Sequence, residues 1–217
     1  MQGSQTWKGW NLHREDVVGR KELVMPPDFS RLGLVTTGTW RAWAVLSADQ
    51  KYRYLLGRCW DDLSAEEEAA LGTGSPWEVY AIPTIFVMLN PSTADALKDD
   101  PTIRKCIGFA RKSGRTRIVV ANLFAWRASD PKALTKVSDP VGPCNQEAIS
   151  WAISLCGDAV AAWGRMPSKR VRNIAVRSMG TTKMRKTLHC YGKTKDGEPR
   201  HPLMLAYTTP RTLLSES

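Results

Sequence analysis

The sequence predicts an α/β protein: a three-layer α/β/α sandwich on a mostly parallel, four-stranded central sheet, plus an N-terminal β-hairpin. Three observations predict it. Four apolar runs of strand length occur: "IPTIFVML" (82–89), "RIVVANLFAW" (117–126), "DAVAAWG" (158–164) and "KTLHCYG" (186–192). Segments of helical period and length separate them, the alternation that parallel crossovers require. The first two runs are almost continuously apolar, as expected of strands covered on both faces.

Residues 1–35 show little periodicity and read as an arm or lead-in to a single domain over 36–217. "TWRAWAVLS" (39–47) and "KYRYLLGRCW" (51–60) are rich in aromatic and branched residues, and Ala48-Asp49-Gln50 between them reads as the turn of a hairpin. "SAEEEAALGTGSPW" (64–77) is a short acidic helix or loop ended by Gly-Ser-Pro breakers. After the 82–89 strand a helix starts with Asp100 as cap and Pro101 in its first position, and Gly114 stops it. Ile103, Ile107 and Ala110 give it an apolar stripe. "PCNQEAISWAISLCG" (143–157) is the second helix. "PSKRVRNIAVRSMG" (167–180) is the third, with Val171, Ile174 and Ala175 inward and Arg170, Arg172 and Arg177 outward.

Composition narrows the function classes. The chain has 217 residues, 42% hydrophobic and 24% charged, ordinary for a globular domain. No apolar run approaches the roughly 20 residues that cross a bilayer. The N-terminus lacks the basic, apolar and small-residue regions of a signal peptide. A cytoplasmic protein without a membrane partner is expected. Five cysteines (Cys59, Cys106, Cys144, Cys156, Cys190) stand apart with no Cys-x-x-Cys pair, so reduced thiols and no metal or other cofactor are expected. Cys106, on a helical face, reads as core. Of the net +10, nearly all falls between Arg165 and Arg200, where eleven basic residues meet only Asp196 and Glu198 as acids. Such a local excess suits a phosphate-rich partner, a nucleic acid, with Lys169, Arg170, Arg172 and Arg177 as its contacts. A solvated basic face is the alternative.

In an open α/β sheet, ligands bind beyond the carboxyl ends of the strands. Polar, backbone-shaping residues follow each predicted strand. They are Asn90-Pro91-Ser92-Thr93 after the first, Asn122 and Arg127 late in or after the second, Trp163-Gly164-Arg165 after the third, and Arg200-His201-Pro202 after the fourth. Parallel strands would bring Asn90, Asn122 and His201 to one edge. Each also has a plainer account. Asn90-Pro91 and His201-Pro202 are common turn pairs, and Asn122 reads equally as a buried amide satisfied by backbone. Asp99 and Asp100 read as helix-start residues that complement the dipole. His189 and Trp163 read as structural.

"MLNPSTADALKDDPTIRKCIGFARKSG", "VVANLFAWRASDPKAL", "DPVGPCNQEAISWA" and "DGEPRHPLML" resemble the hallmark blocks of a bacterial and phage family known as domain of unknown function 1643, over about residues 50–205. More distantly, "LNPS", "VVANLFAWR", "AVAAWG" and "RHPLML" are similar, in order and spacing, to blocks of the uracil-DNA glycosylase superfamily. That resemblance implies a nucleic-acid base-processing enzyme acting on the N-glycosidic bond or base of a modified nucleotide, with DNA as partner. It implies that His201 donates to a base carbonyl, that Asn90 positions the attacking water, and that Asn122 reads the Watson–Crick edge of an extruded base. Pro91, Ser92 and Thr93 would complete the substrate loop. Arg104, Arg127 and Arg200 would meet phosphate. Phe109, Phe124 and Trp126 are candidate stacking faces. The match departs from the superfamily at four points. The first loop has no Asp for water activation, the last reads His-Pro-Leu-Met, no wedge segment follows, and no aromatic stacking position is recognisable after the first loop. The other functions open to such a chain are a non-catalytic module that binds a nucleotide or altered base, and a small-molecule nucleotide enzyme.

Overall fold

The computed structural model describes residues 29–39, 41–60, 83–155, 159–178 and 188–215. The acidic segment at 64–77, most of the lead-in, Cys156 and the basic residues Lys183, Arg185 and Lys186 lie outside them. The described strands are β1 (Leu34–Gly38), β2 (Ala42–Ser47), β3 (Arg53–Cys59), β4 (Thr84–Met88), β5 (Arg117–Asn122), β6 (Ala159–Ala161), β7 (Leu188–Cys190) and β8 (Thr212–Leu213). The helices are α1 (Pro101–Lys112), α2 (Asn145–Ser154) and α3 (Lys169–Ser178), and short 3₁₀ turns stand at Pro131–Thr135 and Pro202–Met204.

The expected mostly parallel four-stranded sheet is wrong. One eight-stranded mixed sheet runs β1–β2–β3–β5–β4–β6–β7–β8. Antiparallel pairings outnumber parallel ones: β1–β2, β2–β3, β3–β5 and β7–β8 against β5–β4, β4–β6 and β6–β7. The hairpin is not an appendage. β3 docks on β5 from Leu55↔Ala121 to Cys59↔Arg117 and extends the sheet. Only three helices cover these eight strands among the described residues. Periodicity reports how deeply a strand is buried but not which strand it pairs with. β1 and β8 escaped notice because they carry little apolar signal, with only Leu34 buried between them.

Side-chain alternation divides the core between the two faces of the sheet. Ile85, Val87, Val119 and Ala121 pack toward α2 and α3, together with Ala148, Ile149, Trp151, Val171 and Ala175. Phe86, Met88, Ile118 and Val120 pack toward α1, against Ile103, Cys106, Phe109 and Ala110. α1 is bounded as its sequence dictates. The Asp100 carboxylate accepts from the Ile103 N–H at 2.9 Å. At the other end Gly114 takes φ +68° while the Arg115 N–H reaches back to the Ala110 carbonyl at 3.0 Å. Trp163 and Cys106 are core residues. No helix among the described residues is long and apolar enough to cross a membrane.

Candidate functional site at the carboxyl rim

Within the mixed sheet, the chain leaves β4 for β5 on one side and then crosses to β6 on the other. The strand order reverses beside β4, and ligands of open α/β sheets bind at such a switch point, beyond the carboxyl ends of the strands. Asn90 follows β4, Asn122 ends β5 opposite Met88, and Gly164 follows β6. The last stretch joins them through Gly164. Its N–H donates to the Pro199 carbonyl at 3.0 Å, and a Cβ at Gly164 would lie 3.0 Å from His201 Cβ. Asn90, Asn122 and His201 thus stand on one rim.

The Asn90 side chain is half-buried. Its Nδ2 donates to the Pro91 carbonyl at 3.0 Å and to the Ala128 carbonyl at 2.7 Å, so both N–H groups hold the turn. Its Oδ1 accepts nothing among the described residues and is the atom left for a ligand or water. Pro91 is buried, Ser92 half-buried and Thr93 exposed. The loop that continues to Asp100 is fastened from beneath by two arginines of β3. Arg58 pairs with Asp99 at 2.8 Å and donates to the Gly57 and Asp95 carbonyls. Arg53 donates from Nη1 to the Ala94 carbonyl.

Asn122 is 1% exposed, and its Nδ2 is buried without an acceptor. Its backbone carbonyl is fixed from behind. Asn145, at the start of α2, donates from Nδ2 to the carbonyls of Asn122 at 2.9 Å and Leu123 at 3.1 Å. Its Nδ2 thus meets no backbone acceptor among the described residues.

His201 caps the 3₁₀ turn that follows it. Its Nδ1 accepts from the Leu203 N–H at 3.3 Å, which assigns the proton of a neutral imidazole to Nε2. Burial holds its pKa below the ordinary 6.5, opposed by the charge of Asp100. The ring is thus neutral near pH 7, with an Nε2–H that has no partner among the described residues. Glu198 steadies this stretch by accepting from Trp163 Nε1 at 2.8 Å and from Arg172 Nη2 at 2.6 Å.

The other predicted residues divide. Arg127 is half-buried and reaches the Gln50 carbonyl at 3.3 Å, beside the β2–β3 turn on the same rim. Arg104 is exposed on the first turn of α1 and donates to the Asp99 carbonyl at 2.8 Å. Arg200 is exposed next to His201. Lys169, Arg170, Arg172 and Arg177 all lie outward on α3, on the opposite face of the sheet from α1. Arg172 is committed to Glu198, and Arg170 touches the Thr135 carbonyl at 3.4 Å. Of the three candidate stacking rings, Phe109 is buried against Tyr191 at 4.2 Å and Phe124 is fully buried. Trp126 is half-buried, edge-on to Tyr52 at 5.3 Å.

Four site features escape local pattern reading: Arg53, Asn145, Gly164 as the neighbour of His201, and Glu198. Arg53 carried a usable signal. A charge inside a strand with partners on both sides cannot reach bulk water easily, and Arg53 and Arg58 sit within the aromatic-rich run 51–60. No cluster of three His, Cys, Asp or Glu that could hold a metal occurs among the described residues.

No curated protein and no solved structure matches the chain significantly. The family model described as "Protein of unknown function (DUF1643)" matches residues 53–203, a span that contains β3 with its two arginines, the Asn90 loop, Asn122 and His201. The chain belongs to the DUF1643 family.

Proposed function

We propose that this protein is a nucleic-acid base-processing enzyme resembling a DNA glycosylase, acting on the N-glycosidic bond or the base of a modified nucleotide in DNA. One observation carries this reading. A neutral imidazole with its proton on the unpartnered Nε2, and an amide with an unpartnered Oδ1, stand at the switch-point rim. The ordered resemblance to uracil-DNA glycosylase blocks supports it, and so does the basic C-terminal third.

The residues suit a dissociative cleavage. As the C1′–N bond breaks, its electron pair passes to the base, where negative charge develops on a carbonyl oxygen. His201 Nε2–H donates to that oxygen, and a donor helps most where charge grows in the transition state. Asn90 Oδ1 accepts a hydrogen bond from the water that adds its hydroxyl to C1′. The water's proton leaves to the base or to solvent, since an amide is too weak a base to keep it. Asn122 Nδ2 donates to an acceptor on the bound nucleotide.

A second reading is a module that holds a nucleotide or altered base without turnover. It is favoured by the Asn90 N–H groups, which close the loop as a purely structural turn would. Incubation with naturally modified phage DNA separates the two. Release of a free base and formation of abasic sites support the enzyme, while saturable binding with no product supports the module.

A further inference from the structure

Arg53 and Asn122 each leave a buried donor without an acceptor. Arg53 is 2% exposed, its Nε has no acceptor, and no carboxylate among the described residues lies within ion-pair distance of it. Its one side-chain bond, Nη1 to the Ala94 carbonyl, is to a neutral group. Asn122 Nδ2 is likewise buried and unpartnered.

The two residues lie at the adjoining ends of adjacent strands. β3 and β5 pair antiparallel at Leu55↔Ala121, which sets the start of β3 against the end of β5. The Arg53 N–H donates to the Ala125 carbonyl at 2.8 Å, three residues past Asn122. Alternation places Asn122 on the face of Val120, the α1 side. Arg53 reaches Ala94 on that same side. Asp100 and Asp95 lend Arg53 partial compensation through space. Both carboxylates are committed elsewhere, Asp100 to the Ile103 N–H and Asp95 to the Leu97 and Lys98 N–H groups.

A buried charge without a paired counter-charge is costly, and so is a buried donor without an acceptor. Proteins retain such groups where a ligand satisfies them. We propose that Arg53 and Asn122 form a buried oxyanion subsite beneath the 90–100 loop, which takes a phosphate or carboxylate oxygen of the ligand rather than the edge of a neutral base. A guanidinium supplies charge and a fixed donor direction, and the amide N–H supplies a second donor. The inference rests on the rim being a ligand site, as proposed above, but needs no glycosidic chemistry. It narrows the ligand to a nucleotide bound through its phosphate, or to a base that carries an acidic substituent.

Isothermal titration of the full chain tests it with two matched pairs, thymidine 5′-monophosphate against thymidine and orotate against uracil. At least one anion should bind tenfold or more tightly than its neutral partner, and the pair that shows the preference identifies phosphate or carboxylate as the source. Arg53→Gln should abolish that preference. Asn122→Asp supplies an internal counter-charge, so it should raise the melting temperature and remove the preference as well. That variant keeps the test open if Arg53→Gln does not fold. Equal binding of both members in both pairs overturns the subsite, as does a preference that survives Asn122→Asp. Base release is scored separately on DNA, so the subsite and the proposed enzyme fail in different assays.

Discussion

At the scale of single residues, the site rests on which atoms the protein leaves unsatisfied. Asn90 spends both its N–H groups on the Pro91 and Ala128 carbonyls. Asn90→Ala should therefore cost about 1–2 kcal/mol of stability on top of any loss of turnover. Chemical denaturation against single-turnover rate separates the two effects. His201 has the opposite balance, with one long bond from the Leu203 N–H and a lowered pKa. The unfolded chain takes up the imidazole proton near pH 6.5, before the folded chain does. The stability that neutral His201 contributes is thus present above 6.5 and lost as pH falls through its lowered folded value. The melting temperature of the wild type should drop more steeply on acidification through that window than that of His201→Gln. The polar residues that end the strands were legible in sequence because Asn-Pro and His-Pro punctuate the chain visibly. The orphan donor of Asn122 was not legible, because satisfaction of a buried amide depends on partners such as Asn145, 23 residues away.

At the scale of elements, local signals served where local forces decide. Asp100 and Gly114 bound α1 as capping chemistry requires, and Val171 and Ala175 turn inward on α3. Asp100 adds a second effect, since its charge raises the His201 pKa against burial. Asp100→Asn keeps a good cap and removes the charge, so it should shift the acid limb of activity to lower pH and lose only the through-space compensation that Asp100 gives Arg53. Asp100→Ala should shift the limb and also cost about 1 kcal/mol for the lost cap. A pH–rate profile beside a denaturation curve reads both. Gly164 couples β6 to the His201 segment through its φ of +70° and its closeness to His201 Cβ. Gly164→Ala should cost about 1–2 kcal/mol in backbone strain and displace His201, lowering turnover beyond what the stability loss explains.

At the scale of the whole molecule, the sequence spoke least. No periodicity announces that β3 pairs with β5, because β3 meets residues 58 or more positions away. That pairing makes the sheet mixed and buries Arg53 under the rim. The basic charge is also divided by partners that only the fold reveals. Arg172 is tied to Glu198, while Lys169 and Arg177 have no partner among the described residues. If α3 meets DNA, Lys169→Ala and Arg177→Ala should each lower the slope of log affinity against log salt by about 0.9. Arg172→Ala should instead loosen the segment that carries His201. The central claim is that Asn90 and His201 act together at the switch-point rim on a base in DNA. Mass spectrometry of the bases released from naturally modified and unmodified phage DNA tests it most directly. A base freed by the wild type, with release cut at least a hundredfold in folded His201→Ala and Asn90→Ala, is the predicted result. No release from any DNA, or equal release by the two variants, would contradict it.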